Sequence, residues 1–186
     1  MLKFLAAFSL LLVLALQNGS VLYRSTQANV RFVSDAPMER IEASTSAVTG
    51  VLDLTDRSFA VQIQVREFMG FNSPLQREHF NENYVRSDRF PTALFKGRII
   101  ESVDLGLPST HSLRAKGEMT IGGVVKERTV ECELRIEKDG IRVRSVFEVP
   151  LDDHGIRIPR VVQQKIAPNV QVHAELFFEP APAPRK

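Results

Sequence analysis

Strict alternation of apolar and polar residues runs through most of this chain, and it constrains the fold more than any other feature. From Leu113 to Ile121, the residues Leu113, Ala115, Gly117, Met119 and Ile121 fall on one face, with Arg114, Lys116, Glu118 and Thr120 on the other. Successive side chains of a strand point to opposite sides, so the pattern predicts a strand buried on one face. Gly122-Gly123 predicts a tight turn, because glycine reaches positive φ without a side-chain clash. The return strand then places Val130, Cys132, Leu134 and Ile136 inward and Glu131, Glu133, Arg135 and Glu137 outward. Asp139-Gly140 predicts the next turn, after which Ile141, Val143, Phe147 and Val149 continue inward.

The same reading predicts strands over 23–33, 41–48, 50–54, 58–65, 92–100 and 170–178. With one polar face on each, the sheet is covered on one side only, as in an antiparallel barrel or sandwich. Ser73-Pro74-Leu75-Gln76 breaks the alternation. It combines an N-cap hydroxyl, proline at the first helical position and glutamine at the capping-box position, predicting a helix over 73–86 with Leu75, His79 or Phe80, and Tyr84 on its inner side. A helical turn is expected near 161–166. The ending Pro180-Ala181-Pro182-Ala183-Pro184 reads as an extended, disordered tail over 180–186.

Lys3 followed by the apolar run Phe4 to Leu16 and the polar Gln17-Asn18-Gly19-Ser20 has the layout of a secretory signal peptide over residues 1–20. The run is shorter than the roughly 20 residues of a membrane-spanning helix. The expectation is a mature protein that is periplasmic or secreted and has no integral membrane domain; the alternative is an uncleaved anchor. About 165 residues then remain, enough for one domain that needs no covalent staples. The single cysteine cannot form an internal disulfide. Lys plus Arg number 24 against 22 Asp plus Glu, so no field of one sign favours nucleic acid as a partner.

Catalytic and metal signals are weak. His79, His111, His154 and His173 sit in four different predicted elements, and no pair has zinc-ligand spacing, so no metal is expected. Asp152-Asp153-His154 reads either as an acid–base cluster or, preferably, as a solvated turn before Gly155. The parity of Cys132 makes it a small core residue rather than a nucleophile. No nucleophile elbow or phosphate-cradling glycine loop is present. The chain reads as a non-enzyme without a cofactor of its own.

Inward faces mix large residues (Phe32, Phe59, Phe95, Met119, Phe147) with small ones (Ala28, Ala43, Ala93, Gly97, Ala115, Gly117, Ala174). An eight-stranded barrel either fills its interior with side chains or leaves room for one small ligand, and composition leaves both outcomes open.

Four stretches carry a resemblance to a known family. They are Gln76 to Tyr84 (QREHFNENY), Ser87 to Gly97 (SDRFPTALFKG), Ala115 to Lys126 (AKGEMTIGGVVK) and Phe147 to Pro159, whose core is DHGIRIP from Asp153. In this order the chain resembles the YceI-like, or polyisoprenoid-binding, family of secreted bacterial proteins, and a Bacteroidetes-type subgroup of it. It departs from the commoner pattern at Ile121-Gly122-Gly123-Val124, where a histidine usually precedes the second glycine. The resemblance implies an all-β, eight-stranded, lipocalin-like antiparallel barrel over residues 21–179. It also implies an apolar lipid ligand, such as a polyprenyl phosphate or the tail of a quinone, held inside. The expected lining is Phe32, Phe59, Val61, Ile63 and Phe95, with Leu113, Met119, Ile121, Leu134, Phe147, Val149 and Val172. Phe68, Met69, Phe71 and Phe80 are expected to close one end, and Arg77, His79, Tyr84, Arg157 and Lys165 are candidates for a headgroup. Two other readings stay open: an enzyme acting on such a lipid through His79, His154 or Asp153, and a solid structural barrel. A homodimer is left open as well.

Overall fold

The computed structural model describes residues 22–102 and 108–182. The segment read as a signal peptide and the last four residues of the tail lie outside them. Nine strands follow one another: β1 (Leu22–Asp35), β2 (Arg40–Thr45), β3 (Val48–Asp53), β4 (Ser58–Gln64), β5 (Thr92–Ile99), β6 (Ser109–Ile121), β7 (Val124–Ile136), β8 (Ile141–Pro150) and β9 (Asn169–Pro180). Every pairing is antiparallel, and β9 returns to pair with β1, which closes the sheet. β2 pairs with residues 30–35 of β1 and β3 with residues 22–24, so these two short strands lie end to end along one edge of β1. The result is an eight-stranded barrel with one extra strand, the all-β architecture expected from the alternation.

The glycine turns behave as their sequence dictates. Gly122 and Gly123 have φ of 56° and 81°, the left-handed values that a two-residue hairpin requires, and β6 and β7 pair without a break from Ile121↔Val124 to Ser109↔Ile136. Gly97 and Gly117 face each other across β5 and β6 at an unusually close approach: a Cβ on Gly97 would lie 2.1 Å from the Lys116 carbonyl oxygen.

Helix α1 (Pro74–His79) starts where expected. The Ser73 hydroxyl accepts from the Gln76 N–H at 3.2 Å, and the Gln76 side-chain oxygen accepts from the Asn72 N–H at 3.0 Å. The helix continues as a π-helical turn through Phe80–Tyr84, and Arg86, at φ 51°, ends it. The connection from β8 to β9 holds two 3₁₀ turns, Asp152–His154 and Arg160–Val162.

The barrel ends differ. At one end Leu52, Ile99, Leu113, Leu134, Ile141, Leu176 and Phe178 pack into a buried plug. At the other lie α1, the β1–β2 turn, the β6–β7 turn and the β8–β9 connection. The Met38 N–H donates to the Gln164 carbonyl at 2.8 Å, tying the β1–β2 turn to that connection.

Candidate functional site

Between the plug and α1 the barrel encloses a cavity of about 550 Å³. Its wall follows strand parity. Val170, Val172, Ala174, Leu176 and Phe178 of β9 all line it, as do Phe59, Val61 and Ile63 of β4 and Phe147 and Val149 of β8. Val170 to Leu176, where the plug begins, is six residue steps; at about 3.3 Å each, with strands tilted by about 40°, the open bore is roughly 15 Å long. Val61, Phe95, Phe147, Val172 and Ala174 point inward yet are only half-buried, because the space they face is open.

The mouth is partly roofed by aromatic rings. Phe32 packs edge-on to Phe68 and Phe71, at 5.3 and 5.9 Å between centroids, and stacks on Phe80 at 5.4 Å. Phe71 and Phe80 meet at 5.1 Å. Arg77 holds the segment below α1 in place, donating from Nε to the Phe68 carbonyl at 3.1 Å and from Nη2 to that of Arg66 at 2.8 Å. Deeper in, Phe59 and Phe95 form a second edge-on pair at 4.9 Å.

Polar groups in the wall are few, and several are already satisfied. The buried Ser34 hydroxyl accepts from the Ala167 N–H at 2.9 Å, and the Ser145 hydroxyl donates to the Glu131 carbonyl. At the rim, the Glu39 carboxylate accepts from the Asn72 and Gln76 side-chain amides at 3.1 and 3.0 Å. Cys132 also lines the bore, and its thiol is pushed up to about 11 by burial and, second, by the Glu101 charge. At pH 7 it is a protonated, weakly polar wall group rather than a nucleophile.

Of the residues singled out from sequence, Phe32, Phe59, Val61, Ile63, Phe68, Phe71, Phe80 and Phe95 border the cavity, and so do Met119, Ile121, Leu134, Phe147, Val149 and Val172. Two lie elsewhere. Leu113 points inward as parity requires, but it sits at the height of the plug, 2% exposed among Leu52, Ile99 and Leu134, and does not reach the open space. Met69 pairs with Ser44 at the free edge of β2, and its side chain is 56% exposed rather than turned into the mouth. Among the headgroup candidates, His79, Tyr84 and Lys165 stand on the rim, Arg77 is committed to two carbonyls, and Arg157 is exposed outside the wall. Burial raises the Tyr84 phenol above its ordinary value.

The expectation of a solvated turn at Asp152 to His154 needs correction. His154 is fully buried; its Nδ1 lies 3.1 Å from the Val124 carbonyl oxygen, and its Nε2 has no partner. Burial, foremost, holds its pKa below the ordinary value, with the Val124 hydrogen bond opposing and the Arg128 charge reinforcing. Asp153 pairs with Arg128 instead of orienting the imidazole. The ring joins the β8–β9 connection to the β6–β7 turn and does not border the bore. Val162, Ile166 and Ile156, which complete the wall at the mouth, were missed from sequence because they belong to an irregular segment with no period to read.

A closed antiparallel barrel with a hydrocarbon bore open at one end and polar groups mainly at its rim is an architecture that supports binding of an apolar lipid. The YceI-like domain matches residues 23–178, and the chain belongs to that family. No curated protein sequence matches it. The fold is similar to a polyisoprenoid binding domain from Saccharophagus degradans implicated in plant cell wall breakdown: TM-score 0.72, 13% identity, 87% of this chain and 99% of that one covered. It is also similar to Burkholderia cenocepacia BcnA: TM-score 0.67, 16% identity, 81% of this chain and 95% of that one covered.

Proposed function

We propose that this protein is a periplasmic or secreted carrier that holds an isoprenoid or similar long apolar chain in its bore and does no chemistry on it. The observation that carries this reading is the enclosed apolar cavity of about 550 Å³, within the 300–1,000 Å³ range of small-ligand sites. The family's polyisoprenoid-binding member supports the ligand class.

The size of the bore limits the tail. At roughly 30 Å³ per heavy atom, a water's share of its liquid, the cavity takes about eighteen atoms. An isoprene unit repeats four backbone bonds and extends about 5 Å, by the geometry that gives a three-bond peptide residue about 3.5 Å. A bore of roughly 15 Å therefore holds about three units straight. Length and volume together place the tail at about C15 to C20; a longer one folds back or protrudes at the mouth. Burying eighteen carbons at about 0.8 kcal/mol each is worth about 14 kcal/mol gross. Association costs of about 4–15 kcal/mol bring this toward micromolar affinity. A polar headgroup stays at the rim, where Lys165, His79 and Tyr84 meet it; the plug end offers only hydrocarbon.

The test is organic extraction and mass spectrometry of protein purified from its native source. A stoichiometric isoprenoid or acyl chain is expected. Protein without extractable lipid that also fails to take up a C20 isoprenoid probe refutes the reading.

A further inference from the structure

The segment from Gly155 to Pro168 has an unusual composition for a connection. It carries Arg157, Arg160 and Lys165 and no carboxylate. All three cations are exposed, and none is ion-paired among the described residues. Between them Val162 and Ile166 turn into the bore, while Val161 projects outward, 90% exposed. Two other large apolar residues are exposed at the same end of the barrel. Leu75 of α1 is 58% exposed although it borders the cavity, and Met38, whose backbone is bonded to Gln164, is 64% exposed. The carboxylates of the β1–β2 turn are engaged: Asp35 pairs with Arg40, and Glu39 takes two amide N–H groups. Glu78 and Glu82 of the helical segment are not among the residues that border the bore.

We infer that this mouth docks on an anionic lipid bilayer, with Val161, Leu75 and Met38 entering the interface and Arg157, Arg160 and Lys165 meeting the headgroups. Protruding apolar side chains ringed by unpaired cations are the two ingredients of interfacial binding. The inference rests on the reading of the bore as a lipid site, and that reading supplies its physical reason. A tail of about eighteen carbons that crosses water exposes about 14 kcal/mol of apolar surface. A mouth seated on the bilayer lets the tail pass from membrane to bore without that exposure. The rim does both jobs with one segment, since Val162 and Ile166 line the bore and Val161, next to Val162, faces outward.

The experiment places an environment-sensitive fluorophore on Val161→Cys in the full chain, with the half-buried native cysteine removed by Cys132→Ala. Val146→Cys, a valine 56% exposed on the barrel wall, is the control. Vesicles are phosphatidylcholine alone or with phosphatidylglycerol. A blue shift at position 161 but not 146, only with phosphatidylglycerol and weakened by salt, is expected. Adding Arg157→Gln and Arg160→Gln lowers the partition roughly thirtyfold, about fivefold per cation. A fluorophore at 161 that stays in water, or one that shifts equally at 146, overturns the inference, as does an unchanged partition in the double variant. Uptake of the C20 probe, measured on the same proteins without vesicles, keeps the two readings apart. Loaded protein that does not dock refutes only the docking; empty protein that docks refutes only the cargo.

Discussion

Replacing Ala174 by phenylalanine asks whether the bore is usable space, because the two answers give opposite signs. Ala174 is the middle of the five β9 residues in the wall, between Val172 and Leu176, and it pairs with Val30 on one side and Ser145 on the other. Both neighbours also face the cavity. The substitution adds six carbons at mid-height. If the space is open, the ring is buried without displacing anything. Burying a whole Phe is worth about 1.5–3 kcal/mol, so beyond what Ala already contributes the lipid-free protein gains about 1–2 kcal/mol. If side chains met across the middle, the same ring would force backbone and rotamer shifts costing about 1–3 kcal/mol. Urea unfolding of lipid-free protein, followed by far-ultraviolet circular dichroism because the chain has no tryptophan, reads the sign directly. Binding moves the other way. Six atoms at roughly 30 Å³ take about a third of the cavity. A C20 probe then loses six carbons of burial, on the order of a thousandfold in affinity at about 0.8 kcal/mol each, while a C10 probe is retained. Destabilisation beyond about 1 kcal/mol, or equal loss of both probes, would refute a hollow bore.

The other predictions concern the wall and the turns. His154 has a folded-state pKa held below its unfolded value near 6.5, so the unfolded chain binds more protons. Its contribution to stability is therefore complete above about pH 6.5 and falls as pH drops toward the folded value, with a slope of at most about 1.4 kcal/mol per pH unit. Urea midpoints across pH 5 to 8 should show this, and His154→Leu should flatten it; an unchanged slope would count against the buried neutral ring. Cys132, its thiol pushed up to about 11, should react with a disulfide reagent at pH 8 at least about a hundredfold more slowly in native than in urea-unfolded protein. Equal rates would show that the bore wall is open to water. Gly97→Ala puts a methyl group against the Lys116 carbonyl and should cost about 2–3 kcal/mol in unfolding free energy. A loss under about 0.5 kcal/mol would mean that β5 and β6 can separate at this pair.

Much of the barrel was legible because a strand exposed on one face writes its period into the sequence. The inward sets of β4, β6, β7, β8 and β9 follow from parity alone, and the Ser73 cap fixes the start of α1. Parity gives the face of a residue but not its height along the axis. Leu113 and Met119 share a face of β6, yet one belongs to the plug and the other to the bore. That difference is set by how the barrel is staggered, which no local pattern records. His154 shows a second limit: Asp-Asp-His-Gly is a polar turn by composition, and its imidazole is buried only because a hairpin tip 30 residues earlier packs over it. The mouth was the least legible part, since Val162 and Ile166 stand in an aperiodic segment whose inward residues are chosen by the path of the chain.

The asymmetry between the two ends carries the functional argument furthest. A tube with two open ends would let a tail slide through, and one with two plugs would exchange nothing. Here Leu52, Ile99, Leu113, Leu134, Ile141, Leu176 and Phe178 close one end with hydrocarbon that offers no hydrogen-bond partner to a headgroup. An unpaired polar headgroup pushed into that plug would cost several kcal/mol, whereas at the rim it remains solvated. On the proposed carrier reading, the tail therefore enters first, and the headgroup stays between α1 and the Arg160–Lys165 stretch. Phe68, Phe71 and Phe80, around α1, fit the same polarity. They are held to the barrel by Phe32 from below and by the Arg77 hydrogen bonds from the side, so part of the mouth is fixed apolar wall. On the same reading, entry is left to the side bordered by Leu75, Val162 and Ile166, near the cations of the β8–β9 connection. On that reading, the direction of loading and the position of the headgroup follow from one feature, the burial of a plug at only one end of the barrel.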